Sequence, residues 1–305
     1  MPLSSDPLRV FDRITVRRHR ARAAARPEAA EFLACEAAER LADRLDDVAR
    51  RFPTALDLGC RHGVLARRLA GRGGIEWLVH ADASLAFAQR APPPALVAEA
   101  EVLPFKPASF DLVLSNLDLH WANDLPGALL QLRLALKPDG LLLASLFGGE
   151  TLRELRQALL EAELEEEGGA SPRVAPFADL RDLGQLLQRA GFALPVADSD
   201  MIEVTYGDAL ALMRDLRAMG ESNAMSERRR SFTRRGTLAR AVARYSELFA
   251  GEDGRIPARF EVVTLTAWAP HPSQPRPLAP GSARIGLAAA LGASERSAGE
   301  KPGGA

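Results

Sequence analysis

Cysteine is nearly absent from this chain. Cys35 and Cys60 are its two cysteines, too few for a disulfide framework or a cysteine-built zinc site, and a reducing compartment follows. No apolar run approaches the roughly 18–20 residues of a membrane span, and the first residues lack the apolar core of a secretory signal. Neither sign of charge dominates: 39 Lys and Arg against 40 Asp and Glu leave a net charge of −1. No global field therefore draws the protein to nucleic acid or to a membrane. No aromatics alternate with the basic residues, so the stacking platform of a single-strand binder is missing too. The hydrophobic fraction of 47% over 305 residues is that of a globular protein with ample core.

What is present is a βα pattern. The run Thr54-Ala-Leu-Asp-Leu-Gly-Cys-Arg-His-Gly63 reads as a strand over 55–58, a tight turn and a helix start, the first half of a nucleotide-binding unit. A dinucleotide site needs G-x-G-x-x-G to cradle a pyrophosphate, but Arg61 stands at the second glycine position and Asp57 precedes the loop. A carboxylate there repels a pyrophosphate. It suits a ligand carrying an ammonium or sulfonium and no phosphate, which is S-adenosylmethionine.

Upstream, residues 9–26 hold seven arginines opposed by Asp12 alone. That composition fits either a mitochondrial transit peptide or, the reading preferred here, a basic helix of the mature domain. An amphipathic helix over 28–50 leads to Phe52-Pro53. From 54 onward strands and helices alternate: a helix over about 63–71, a strand 75–81 ending at Asp82, a helix that Ser84 can cap, and a strand 95–98. A strand over 110–115, a helix over about 124–136 and a strand 141–147 follow, with Lys137-Pro-Asp-Gly140 as a turn. The expected fold class is α/β: a doubly wound, seven-stranded, mostly parallel, Rossmann-like sheet. A long helix runs over about 150–167. Its glutamates at 161, 163, 165, 166 and 167 oppose the helix dipole and predict fraying. A helix over 178–190 and a strand near 196–206 come next. A helical block at about 207–250, carrying Arg228, Arg229, Arg230, Arg234 and Arg235, precedes the last strand, 260–268. Inserted between the last two strands, the block is placed to cover the ligand edge as a substrate lid. The domains read as a helical extension over 1–50, a body over 51–270, and a mostly disordered tail over 271–305, rich in Pro, Gly, Ser and Ala.

Several residues are placed to carry chemistry. Asp57, Gly59, Cys60 and Gly63 form the cofactor loop, with Cys60 a small packing residue rather than a nucleophile. Asp82 can accept both hydroxyls of a ribose or simply cap the next helix. Ala83 would lie beside the adenine. Glu99, next to Ala100, can take the adenine amine or face solvent. After the fourth strand, Asn116, Asp118 and His120 are weak catalytic candidates as base or orienter; packing of His120 and Trp121 is the competing reading. His80-Ala-Asp82 also has the form of two ligands of an iron facial triad, completed only by distant His120 or His271, and no metal is expected. The two arginine clusters read as solvated helix faces or as anion sites.

These residues resemble class I methyltransferases. More closely, the chain is similar to the mitochondrial complex I assembly factor five family and its bacterial relatives. The match begins at Val10-Phe-Asp-Arg13 and takes in Leu56-Asp-Leu-Gly-Cys60, Leu119-His-Trp121, Leu136-Lys-Pro-Asp-Gly140, Phe147-Gly-Gly-Glu-Thr-Leu152, Met219-Gly-Glu-Ser-Asn223 and Gly281-Ser-Ala283. It spans nearly the whole chain, and its match at Phe11-Asp-Arg13 puts the basic N-terminus in the mature protein. The resemblance implies S-adenosylmethionine binding by Asp57, Gly59, Cys60, Gly63, Asp82, Ala83, Glu99, Ala100 and Asn116. It also implies a protein substrate, because the mitochondrial member is an arginine hydroxylase acting on an iron–sulfur subunit of respiratory NADH dehydrogenase. A bacterial member would be cytoplasmic, with peripheral contact to the inner membrane face; a eukaryotic one would lie in the mitochondrial matrix. A less close relative is the malonyl-acyl-carrier-protein methyltransferase of biotin synthesis, which shares Ser115-Asn-Leu117 and Trp121. A non-catalytic assembly factor that binds the cofactor is a further alternative. Two positions depart from the family: Arg61 replaces a usual glycine, and Glu99 a usual aspartate.

Overall fold

The computed structural model describes residues 9–26, 31–275, 282 and 286–293, which fall into two units divided after Pro270. The first unit carries one seven-stranded sheet. Its strands are β1 (Thr54–Leu58), β2 (Trp77–Asp82), β3 (Ala95–Val97), β4 (Phe110–Asn116), β5 (Leu136–Phe147), β6 (Ala193–Tyr206) and β7 (Ile256–Trp268), in the spatial order β3-β2-β1-β4-β5-β7-β6. The first five pair in parallel, and β7 runs antiparallel to both β5 and β6. The order reverses direction between β1 and β4. That switch point brings the loops after these two strands together at the carboxyl edge.

Side-chain alternation builds a core on each face. Leu56, Val113 and Leu142 pack with Leu129 and Leu132 of α5 (Leu125–Ala135) and Leu183 and Leu187 of α7 (Leu180–Arg189). Their neighbours Ala55, Leu112 and Leu143 pack the other way, against Leu41 and Leu45 of α2 (Phe32–Asp46) and Leu65 of α3 (Val64–Arg68). A third core joins α6 (Arg153–Glu167), α8 (Ala209–Met219) and α9 (Arg235–Phe249) to Phe260 and Val262 of β7. The block between the last two strands is thus two helices with a loop over 220–234, packed beside the carboxyl edge.

The glutamate-rich end of α6 is not frayed. Glu161 pairs with Arg244 and Glu165 with Arg240, both on α9, while Glu167 accepts from Thr237 Oγ1 at 2.6 Å and pairs with Arg229. Cations from a distant segment offset the dipole penalty. The same pairs correct the picture of Arg229 as part of a solvated face, although Arg230, Arg234 and Arg235 are exposed. Lys137-Pro-Asp-Gly140 is not a free turn: β5 already begins at Leu136, and Asp139 absorbs the bend at φ +62°. Most of the tail lies outside the described residues, apart from fragments that include a short helix at Leu287–Ala290.

The basic N-terminal segment forms α1 (Arg13–Ala23), capped by Asp12, which accepts from Thr15 N at 3.2 Å and Thr15 Oγ1 at 2.7 Å. Its buried residues Thr15, Val16, Arg20 and Ala23 share one face. An arginine among them is the unusual element.

Candidate active site

The glycine loop leaves β1 at the switch point. Gly59 N donates to Ala81 O at 2.8 Å, locking the loop to the end of β2. Gly59 holds φ +76°, and a Cβ there would come within 2.4 Å of Asp118 Cβ. Gly63 holds φ +71° and would meet Pro92 Cδ at 2.7 Å. Both glycines are therefore required twice over, by backbone conformation and by close approach. Arg61 also lies in the left-handed region, at φ +50°, where a glycine would be unstrained. Its side chain swings out of the loop and into the helical block. Nη1 donates to Met219 O at 2.8 Å, and Nη2 pairs with Glu221 Oε1 at 2.6 Å.

Beneath the loop, Asp57 is fully buried, with Oδ2 at 3.2 Å from His80 Nδ1. Burial raises its pKa, and His80 opposes that rise. Oδ1 has no hydrogen-bond partner, so a buried carboxylate oxygen stands ready for a cationic donor. Asp82, at the end of β2, is fully buried too. Its Oδ1 accepts from Ser84 N at 2.8 Å and Arg20 Nε at 3.1 Å; its Oδ2 accepts from Arg61 N at 3.2 Å and Arg20 Nη2 at 2.5 Å. Asp82 closes a short side-chain turn onto Ser84 N just ahead of the short α4 (Leu85–Ala88), whose N-cap position is Ser84; the Ser84 side chain makes no cap bond. Arg20 also reaches Asp118 Oδ1 at 2.8 Å through Nη1 and lies over the Phe87 ring at 5.5 Å. Burial pulls the Arg20 pKa down, but Asp82 and Asp118 outweigh it, so the guanidinium stays charged.

The structure distributes the other expected residues unevenly. Ala83 lines an open cleft with Ser84, Glu99 and Val102. Within it, the Glu99 carboxylate is taken by α1, with Oε1 accepting from Arg17 Nε at 2.5 Å and Oε2 pairing with Arg13 at 3.2 Å. Ala100 is buried in the core beside β3. Cys60 is buried, and that burial pushes its thiol pKa up, which removes thiolate chemistry. Asn116 donates to Ala34 O at 2.8 Å and accepts from Ser145 Oγ at 3.0 Å, so its amide anchors α2 and β5. His80 and Asp82 do not converge as ligands, since His80 turns to Asp57 and Asp82 to Arg20. Among the described residues, no group of three His, Cys, Asp or Glu assembles around a common point.

Glu221 joins the cluster without having been singled out for chemistry. It lies in the loop after α8, and its side chain is 7% exposed. Oε2 accepts from His120 Nε2 and Trp121 Nε1, both at 3.1 Å. Burial raises its pKa, but His120, Arg61 and Arg20 together hold it down at about 2. Its one sequence signal was membership of Met219-Gly-Glu-Ser-Asn223. His120 packs against Trp121, Phe147 and Phe177 while its Nε2 meets Glu221. Beside this group opens an apolar cavity of about 240 Å³, lined by Phe147, Leu155, Val174, Phe177, Met213 and Leu216, with Trp121 and Glu221 on its wall.

Comparison with known proteins places this geometry. A family model described as a methyltransferase domain matches residues 56–144. The chain is 42% identical over 292 residues to the mitochondrial arginine-hydroxylase NDUFAF5 of Danio rerio, covering 93% of this chain and 90% of that protein. It is 37% identical over 270 residues to the malonyl-[acyl-carrier protein] O-methyltransferase of Xylella fastidiosa, covering 86% and 89%. The crystal structure of the YcgJ protein of Bacillus subtilis superposes with a TM-score of 0.53 at 14% identity, covering 76% of this chain and 98% of that one, which establishes the shared fold. The carboxylates and glycines at the switch point fit S-adenosylmethionine, the cofactor of such methyltransferase folds, in kind and in place. The chain belongs to the family of methyltransferase-fold proteins that includes these arginine-hydroxylases and malonyl-[acyl-carrier protein] O-methyltransferases.

Proposed function

We propose that this chain is an S-adenosylmethionine-dependent enzyme of the methyltransferase fold that modifies an arginine side chain of a protein substrate. The observation that carries the reading is the apolar cavity with an ionised carboxylate on its wall. Glu221 already receives a guanidinium there, that of Arg61, at 2.6 Å. A second arginine side chain has the matching form: an apolar stem for Phe147, Leu155 and Leu216, and a cationic head for the carboxylate. The names of the arginine-hydroxylase relatives support this choice of acceptor. The cofactor, when bound, supplies a methyl group on a cationic sulfur. Asp57 Oδ1 would meet a cationic end of it and Asp82 its ribose, while Gly59 and Gly63 let the loop turn in the left-handed region against Asp118 and Pro92. His120 and Trp121 hold Glu221 in its orientation.

The proposed substrate is an iron–sulfur subunit of respiratory NADH dehydrogenase, met in the bacterial cytoplasm or, in a eukaryote, in the mitochondrial matrix. Among the described residues no helix is long and apolar enough to cross a membrane, so contact with the membrane face would be peripheral. Mass spectrometry of that subunit from wild-type and deletion strains tests the proposal. An arginine that loses one oxygen mass on deletion supports hydroxylation, and one that loses a methylene mass supports methyl transfer. An unchanged arginine inventory sinks both.

A second reading rests on Arg61. Its guanidinium, paired with Glu221 on the cavity wall, would also receive the free carboxylate of a malonyl group, the group named for the bacterial relatives. Biotin auxotrophy on deletion would favour that reading, and prototrophy would reject it. Retained assembly function in an Asp82→Ala strain would favour a non-catalytic assembly factor over both.

A further inference from the structure

Asp82 has no free lone pair for a ribose. Two oxygens offer about four acceptor positions, and four donors fill them: Ser84 N, Arg61 N, Arg20 Nε and Arg20 Nη2. The two backbone donors belong to the loops that shape the site. The two guanidinium donors come from α1, and the Arg20 side chain carrying them is 2% exposed. The same guanidinium holds Asp118 at 2.8 Å, and Asp118 Cβ lies 2.4 Å from where a Cβ on Gly59 would be. Asp118 therefore occupies the space that the glycine leaves open. The adenine side differs: the cleft beside Ala83 and Glu99 is open, with a volume of about 800 Å³.

We infer that Arg20 is an internal occupant of the ribose carboxylate, so that docking of α1 and full binding of S-adenosylmethionine compete for Asp82. The inference rests on the cofactor reading of the switch-point site. Two arguments carry it. The first is charge. Asp82 and Asp118 are held together by one cation, and a buried pair stripped of its cation is costly. A ligand bearing a sulfonium can take over that charge as the arginine leaves, which a neutral ligand cannot do. The second is mechanical. Along its length α1 is tied to the loop that carries Glu221. Asp12 N donates to Ala224 O at 2.8 Å, Arg228 Nη2 donates to Thr15 Oγ1 at 2.7 Å, and His19 Nδ1 lies 3.1 Å from Ser222 O. Arg13 Nη1 donates to Trp121 O at 2.7 Å. Release of α1 thus loosens the wall of the acceptor cavity, and cofactor binding would open the way for the protein substrate.

Calorimetric titration of the full chain and of Arg20→Ala with S-adenosylmethionine tests the competition. If the docked form of α1 holds about nine-tenths of the molecules, removing its guanidinium tightens apparent binding by about tenfold. Equal or weaker binding by Arg20→Ala overturns the inference and leaves the cofactor reading intact, since Arg20 would then be neutral or a cofactor ligand. No heat from either protein at millimolar cofactor overturns both. Hydrogen exchange on the unsubstituted chain gives an independent readout should the variant fold poorly. Amides of residues 13–23 are expected to exchange faster with cofactor present, and unchanged or slower exchange overturns the inference.

Discussion

Replacing Glu221 with glutamine removes a charge while keeping the size of the side chain. Against the pull of burial, His120, Arg61 and Arg20 hold the Glu221 carboxyl at about 2 in the fold, below the 4.5 of an ordinary glutamate. A folded-state pKa below the unfolded one contributes stability that is complete above the unfolded pKa. The contribution is lost as pH falls through the folded one. A displacement of that size is linked to about 3 kcal/mol near neutral pH. Glutamine also leaves Arg61, whose side chain is 4% exposed, without its anion, and a broken buried pair costs up to about 5 kcal/mol. The expected loss is therefore about 3–5 kcal/mol near neutral pH. At about pH 3 the unfolded carboxyl is mostly protonated, and the linked part shrinks to roughly 1 kcal/mol. Urea unfolding of the two proteins at both pH values reads this difference directly. Titrating groups that do not contact Glu221, Asp12 among them, are common to both proteins and cancel. A Glu221→Gln penalty below 1 kcal/mol near neutral pH, or one equally large at both pH values, would refute the claim that the fold uses Glu221 as a buried anion.

Three further outcomes follow from the same geometry. Gly59→Ala combines left-handed strain with a contact at 2.4 Å, whereas Gly71→Ala meets nothing within 4 Å at φ +79°. Thermal melting should show a loss of about 1 kcal/mol at Gly71 and about 2–4 kcal/mol at Gly59; equal losses would remove the close approach from the argument. Glu163 has a 2% exposed side chain paired to Arg173, so Glu163→Gln should cost about 2–4 kcal/mol. Arg240→Ala, at a half-buried arginine whose partners face solvent, should change stability less, and the reverse order would show that the zipper between α6 and α9, rather than the buried pair, anchors this helix end. Met213→Trp places an indole in the acceptor cavity and should abolish arginine modification while cofactor affinity stays within twofold of the unsubstituted chain. Undiminished modification would move the acceptor elsewhere.

The contrast between what the sequence revealed and what it concealed follows the range of the interactions. Leu56, Val113 and Leu142 announce their strands because each lies in a short apolar run closed by a turn residue, and alternation along one strand is a local property. Asp82 was legible for the same reason: it is the acid that ends β2, and the switch point follows from strand order. The helical block between the last two strands followed from counting strands. The partners were not legible. Nothing near Glu161, Glu165 or Glu167 in the chain shows that Arg244, Arg240 and Arg229, more than sixty residues later, will neutralise them. Judged locally, that helix end should have frayed. The arginines of α1 present the same difficulty in reverse. Five of them on one short helix suggest a solvated face, and composition cannot say which one turns inward. The spacing held a partial signal, since Arg20 falls on the stripe of Thr15, Val16 and Ala23, where an apolar side chain would be expected. A basic residue on the buried stripe of a helix must meet an acid, and the acids not already spoken for by strand or cap lie at the cofactor site. Arg61 obeys the same logic. Its positive φ marks a position made for glycine, and the cost of holding an arginine there is offset by Glu221 on another element. Sequence reasoning found Asp57, Asp82 and Asp118 at the groove, whereas the cation that holds the last two arrives from α1, and that of the glycine loop turns away to Glu221. With α1 and the cofactor competing for Asp82, Arg20 sets how readily the cofactor enters.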